Sequence, residues 1–484
     1  MPKTFLRALL LGSICLPLVT LGPQPGDWPG GMAQAQEGGG GGSDDGNGGG
    51  SDDGPGATRG GAGERDRARR VRRAVVAAPP PPPPVAAPDE IVVTDLAPEA
   101  LVQLQAEGFS LIEEVALSLA DLRLARLRVP PALGLEAARA RVRGLPGGED
   151  ADFNHFYRPE QGAAQAATAG WAAETIPETI PAAAAAAACA HENCGAFTLI
   201  GWPAERGETC RVTVPVGVID TGVNAAHEIL AGARMEVIRL TPEGADASQA
   251  VHGTAVASLL VGAEGSRVPG LIPEAEIIAV DVFSDIRGDE RADVPSLLRG
   301  LELLAGRGVG VMNLSLAGPE NRVLTVALDA LTGPGDAAEA MAGETGKTGP
   351  LIVAAAGNGG PEAAPAWPAA HPGVLAVTAV DGRGRIYRAA QRGDHVDLAA
   401  PGVGLLAATS IRGARGKTGT SYAVPFVTAA AAVMLSRDPG LGPRGVAAAL
   451  SDTARDLGAE GRDPIFGAGL LDTTALCGAG AATE

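Results

Sequence analysis

From residue 214 to residue 380 the chain repeats one pattern: a short unbroken apolar run, then a longer stretch with helical spacing. The runs fall at 214–219, 276–282, 309–314, 351–355 and 374–380, with helical stretches at 253–261, 294–305 and 323–331 between them. A strand apolar on both faces needs cover on both faces, and strands separated by helices pair in parallel through crossovers. Residues 196–477 are therefore expected to form an α/β domain, three-layer αβα, around a mostly parallel sheet. Residues 89–158 carry a different pattern. Strands are expected at 90–94, 111–119, 122–129 and 151–157, with helices at 98–107 and 135–143 stopped by Gly108 and Gly144. That β-α-β-β-α-β order suits a small α+β ferredoxin-like sandwich of about 70 residues.

The rest of the chain lacks such periodicity. Lys3 and Arg7 precede an apolar run at 8–21, and Ala33-Gln34-Ala35 offers a small-x-small cleavage site, so 1–35 reads as a signal peptide. The run is too short to span a bilayer. Residues 36–88 hold Gly with Asp and Ser, an Arg-rich stretch, and six prolines at 79–84. With so little apolar content this segment reads as a disordered linker ending in a stiff polyproline spacer. Residues 159–195 form an Ala-rich connector, where proteolytic cutting is expected, and 478–484 a tail. No later run of 18 or more apolar residues occurs, so no membrane span is expected in the mature chain.

The net charge of -18 over 484 residues argues against nucleic acid as a partner, since phosphate binding needs a basic face. Apolar residues make up 45 % but aromatics only 3 %, so the core must be built from Ala, Val, Leu and Ile. Apart from Cys15 in the signal, the cysteines are Cys189, Cys194, Cys210 and Cys477. An even count in an exported protein points to two disulfides, with three pairings open. His191 and Glu192 between Cys189 and Cys194 also suggest a metal site, but an oxidising compartment favours disulfides over thiolate ligands.

Three motifs carry candidate chemistry. Val218-Ile219-Asp220-Thr221-Gly222 places Asp220 at the C-terminal end of a buried strand, where ligands gather in open α/β sheets. His252-Gly253-Thr254-Ala255-Val256-Ala257 opens a helix. Gly419-Thr420-Ser421-Tyr422-Ala423-Val424-Pro425 puts Ser421 just before a buried Ala-rich helix, near unpaired N–H groups and a positive dipole end. In this order the motifs resemble the subtilisin family of serine peptidases. Further matching stretches are 270–275, 313–316, 397–402 and 466–471, and the small domain at 89–158 resembles the inhibitory propeptide of that family.

The resemblance implies a secreted serine endopeptidase made as a self-processing zymogen, acting on polypeptide substrates with its own propeptide as a partner in cis. Asp220, His252 and Ser421 would form the catalytic triad and Asn358 the oxyanion hole, together with the Ser421 N–H. Ser315, Leu316, Ala317 and Gly318 match the edge segment that pairs with an extended peptide; Ala355 and Gly357 complete the substrate-binding set. Gly359 stands where a common family form has an acid, which implies uncharged side chains at P1, the residue whose carbonyl is attacked. No cofactor is expected. The family's calcium site is not expected either, because the acid is shifted to Glu228 and the loop 262–267 lacks Asn. His155, His191, His227, His371 and His395 lie outside the motifs and read as ordinary histidines. The rival reading is an inactive binding or scaffolding protein on the same fold.

Overall fold

The computed structural model describes residues 82–117, 121–160, 191–203, 206–240, 245–333 and 349–478. The expected signal, most of the linker and connector, and all of the tail but Gly478 lie outside them. The first described unit contains β1 (Ala86–Thr94), α1 (Pro98–Ala106), β2 (Ser110–Leu117), β3 (Leu122–Arg128), α2 (Leu135–Arg143) and β4 (Asp152–Pro159). β1 begins three residues inside the stretch read as linker, because Ala86 pairs with His155. The strands lie in the order β2-β3-β1-β4, all antiparallel. Alternation along β1 sends Ile91 and Val93 to one face, where they pack with Leu104 of α1 and Val142 of α2. Val92 points the other way, into a core shared with Val294, Leu297 and Leu301.

The larger part follows. After the short helix α3 (Cys194–Leu199) come β5 (Val216–Asp220), β6 (Arg234–Arg239), α4 (Val251–Val261), β7 (Glu276–Asp281), β8 (Ser284–Ile286), β9 (Asp289–Asp293) and α5 (Val294–Gly306). Then come β10 (Val311–Leu314), β11 (Leu316–Ala317), α6 (Arg322–Thr332), β12 (Leu351–Ala355) and β13 (Val374–Val380). The series ends with β14 (Leu398–Pro401), the hairpin β15 (Val403–Ala408) and β16 (Ala414–Thr418), α7 (Val424–Arg437) and α8 (Gly442–Asp452). Seven strands form a parallel sheet in the order β14-β13-β12-β10-β5-β7-β6. α4 and α7 cover one face with Ala, Val and Leu; α5 and α6 cover the other. The chain leaves β5 toward β6 and returns to its opposite side at β10, so the sheet's switch point lies at β5, where α/β sheets place ligands.

The edge strand β6 has no expectation behind it. Its residues are largely exposed, so it shows no apolar run. Cys210 bonds Cys477 across 267 residues of sequence, and Cys194 is also disulfide-bonded; Cys189 lies outside the described residues. No described helix is long and apolar enough to cross a membrane.

Candidate active site

Asp220 ends β5 and His252 begins α4. Gly253 lets the two meet: a Cβ there would lie 2.3 Å from the Thr221 carbonyl oxygen. Its N–H instead donates to Thr221 Oγ1 at 2.9 Å. Both Asp220 oxygens face His252 Nδ1, at 2.8 and 3.0 Å, and Oδ1 also accepts the Thr221 N–H. An ionised carboxylate only accepts, so the Nδ1 proton sits between them and Nε2 keeps its lone pair. Nε2 is buried and has no hydrogen-bond partner among the described residues. Behind Asp220, Ser248 Oγ donates to Asp281 Oδ2 and accepts the Gly222 N–H. Burial, reinforced by the Asp220 charge, pushes Asp281 up to about 6.

Ser421 sits in a single turn, Thr420–Tyr422, just ahead of α7. Its carbonyl accepts from Ser315 Oγ, which accepts from Asn313 Nδ2, and Asn313 Oδ1 accepts from Thr428 on α7. This buried chain ties the serine turn to β10. Asn358, just beyond β12, is oriented by Thr420: both the N–H and the hydroxyl of Thr420 donate to Asn358 Oδ1, at 3.0 and 3.1 Å. That leaves Nδ2 turned outward as a donor.

What Nδ2 meets is the chain itself. β4 runs on as an extended segment between β9 and β11. Pro159 pairs with Leu316, Arg158 with Ala317, and the Glu160 N–H donates to the Ser315 carbonyl at 3.2 Å. Tyr157 lies wholly buried over Gly318, where a Cβ would meet the ring at 2.5 Å, and its hydroxyl donates to the Pro319 carbonyl. The Glu160 carbonyl then accepts from Ser421 Oγ at 2.6 Å and from Asn358 Nδ2 at 3.1 Å. The Ser421 N–H does not bond that oxygen here. A ground-state carbonyl need not stand where an oxyanion would.

Other contacts anchor the same strand. Asp152 accepts the Arg322 N–H at the start of α6, and Asn154 accepts the Val294 N–H at the start of α5. Both satisfy helix N-termini, where an acceptor is favoured. Arg158 pairs with Asp289, and Arg126 of β3 with Glu90 and Asp293.

The structure pairs Asp220 with His252 and brings Ser421 Oγ, Asn358 Nδ2 and the Ser315 carbonyl to the Glu160 backbone; among the described residues no hydrogen bond joins His252 to Ser421. Leu316 and Ala317 pair with Pro159 and Arg158, and Gly318 lies against the Tyr157 ring. Ala355 and Gly357 make no hydrogen bond to it; Ala355 is spent in the β12–β13 pairing, and the Gly357 N–H donates to Thr420 Oγ1. The residue whose carbonyl meets Ser421 and Asn358 carries an acid, Glu160. Sequence reasoning missed Thr420, Asp281, Tyr157 and Glu160. Thr420 stands beside Ser421, but nothing in its type signals that it orients an amide more than sixty residues away. Among the described residues no cluster of three or more His, Cys, Asp or Glu is placed to hold a metal; Glu228 instead accepts the Gly413 N–H.

Residues 212–469 match the model of the Subtilase family. Subtilisin BL of Lederbergia lenta is 29 % identical over 263 residues, 54 % of this chain and 90 % of its own length. Subtilisin DY of Bacillus licheniformis is 30 % identical over 270 residues, again 54 % of this chain and 90 % of its own length. Fervidolysin of Fervidobacterium pennivorans is 29 % identical over 296 residues, but the match spans only 40 % of its length. The crystal structure of fervidolysin, described as a keratinolytic enzyme related to subtilisin, superposes with a TM-score of 0.63 at 21 % identity. That likeness covers 81 % of this chain and 61 % of the other, and it is a likeness of fold.

Proposed function

The chain belongs to the Subtilase family, a family of serine peptidases, and from that premise we propose that it is a secreted endopeptidase made as a zymogen and acting through an acyl-enzyme on Ser421. In this reading His252 takes the Ser421 proton and later gives it to the leaving amine, while Asp220 holds the imidazole tautomer and stabilises the imidazolium. Asn358 donates to the developing oxyanion. Residues 86–160 hold the cleft closed until they are cut away. One observation carries the proposal: a main-chain carbonyl of the chain's own strand lies within hydrogen-bond reach of both Ser421 Oγ and Asn358 Nδ2. It is presented as an added strand, the way an edge takes an extended peptide. Export rests on the charged and apolar start of the chain, and on a Cys210–Cys477 bond that suits an oxidising compartment.

The test is a fluorophosphonate probe with the Ser421→Ala variant. Wild type is expected to label and to mature; Ser421→Ala is expected to do neither and to accumulate at full length. Equal labelling of both would favour the non-catalytic scaffold, and normal maturation of the variant would hand processing to another protease.

A further inference from the structure

Glu160 is partly exposed as a residue, yet its Oε2 is shut off from solvent and makes no hydrogen bond. Burial raises this carboxyl's pKa, and the neighbouring Asn358 opposes the shift without cancelling it. Two titratable groups face the carboxyl. They are His252 of α4 and Tyr387, in the segment after β13; Tyr387 is pushed up by burial and by the Glu160 charge. Among the described residues no Arg or Lys acts on the carboxyl. A pocket built to hold a glutamate anion would supply a cation or a set of donors for both oxygens, since an unpaired buried charge is costly. This one gives the buried Oε2 no donor among the described residues. A carboxamide or a protonated carboxyl fits such a lining better than a carboxylate does.

We propose that the peptide bond joining Glu160 to Gln161 is the self-processing bond, and that the pocket beside Asn358 accepts the glutamyl side chain in its neutral form, so that the enzyme selects glutamine or protonated glutamate at P1. The inference rests on Ser421 being the nucleophile. Ser421 Oγ bonds to the Glu160 carbonyl carbon, and its proton passes to His252 Nε2. That proton then goes to the Gln161 nitrogen as the C–N bond breaks. Water hydrolyses the ester, restoring the Ser421 hydroxyl and leaving an α-carboxylate on Glu160. Burial raises the Glu160 side chain to about 7, so it is mostly neutral at pH 6 and only about one-tenth neutral at pH 8.

The experiment follows full-length chain from pH 6 to 9 by intact mass and N-terminal sequencing, as wild type, Glu160→Gln, Glu160→Lys and Ser421→Ala. A new terminus at Gln161 is expected. Glu160→Gln is expected to process at the wild-type rate at pH 6 and about tenfold faster at pH 8; Glu160→Lys is expected to lag at every pH. The processed enzyme is also given the peptides Tyr-Arg-Pro-X-Gln with X as Gln, Glu or Lys, which keeps the test open if a variant fails to fold. There the Gln-to-Glu ratio of kcat/KM is expected to climb about tenfold between pH 6 and 8. A terminus elsewhere, no processing by a chain that still labels at Ser421, or a ratio flat with pH overturns this inference alone. Processing that survives Ser421→Ala overturns the reading beneath it.

Discussion

In the seven-stranded sheet, the middle strands β5, β10, β12 and β13 are buried along their whole length, covered on both faces by helices of the same part of the chain. The small four-stranded sheet has helices of its own on one face only; its other face, with Val92 and Leu124, is covered by Val294, Leu297 and Leu301 of α5. Much of the contact around that patch is polar. Arg126 meets Glu90, Glu113 and Asp293; Arg299 meets Glu113; Arg158 meets Asp289. Separable interfaces within a chain are more polar than interiors. One sheet thus carries its full cover wherever it goes, and the other has it only while docked. Such an arrangement suits a part that is to be removed and a part that is to remain.

Substitutions that fall on one side of this division sharpen it. Asn358→Leu removes the outward-facing donor, and with it the bond to the Glu160 carbonyl, but leaves the small domain's other contacts alone. A drop in kcat of about 10²–10³-fold is expected, a range known for that donor in a subtilisin and not worked out from this site. Thermal unfolding of the processed enzyme checks that the loss is chemical. An unchanged kcat would remove Asn358 from the site. Tyr157→Ala works from the other side. It empties a wholly buried contact over Gly318 and loses the bond to the Pro319 carbonyl. Truncating a buried aromatic anchor costs about 2 kcal/mol or more, roughly 30-fold in affinity. Inhibition of processed enzyme by its released fragment measures it; a fragment that inhibits equally well would mean that the strand is not held by this contact.

The same division explains what could be read in advance. The buried strands at 351–355 and 374–380 showed as apolar runs because both faces are covered. Asp220, His252 and Ser421 were singled out by motifs that resemble the subtilisin family; the apolar pattern put each at an element end but gave it no role. The small domain's element order was legible from alternation and from its glycine stops. The path of β4 beyond 157 was not. Arg158-Pro159-Glu160 has no strand signal, and Pro cannot donate to a ladder; the segment is extended because β11 and the Ser315 carbonyl hold it. Edge strand β6 stayed hidden for the related reason that partial burial leaves no periodicity.

The smallest expected effect separates two groups on the docked segment. His155 lies buried against Asn321, and the direction of their bond is determined. Asn321 Oδ1 accepts the Leu324 N–H at the start of α6, so its Nδ2 must be the group facing His155 Nδ1. Nδ1 therefore accepts, and a protonated ring would turn a donor onto a donor. Burial lowers the His155 pKa; Arg139 adds to this and Asp152 opposes it. A released fragment takes up this proton near pH 6.5, whereas the docked one takes it up only at lower pH. Above 6.5 both are neutral and nothing changes. As pH falls below 6.5 the released state binds more protons, so acid favours release, by less than tenfold per pH unit. The Glu160 side chain has the opposite sign, because acid neutralises it and suits it to its pocket. His155→Asn keeps an acceptor facing Asn321 and removes the titration. In a Glu160→Gln background, which removes that opposing titration, dissociation of the nicked complex between pH 7 and 5 is expected to rise, and to rise less when His155→Asn is added. Curves that rise in parallel would place the acid response in the ion pairs of Arg126 and Arg158 instead.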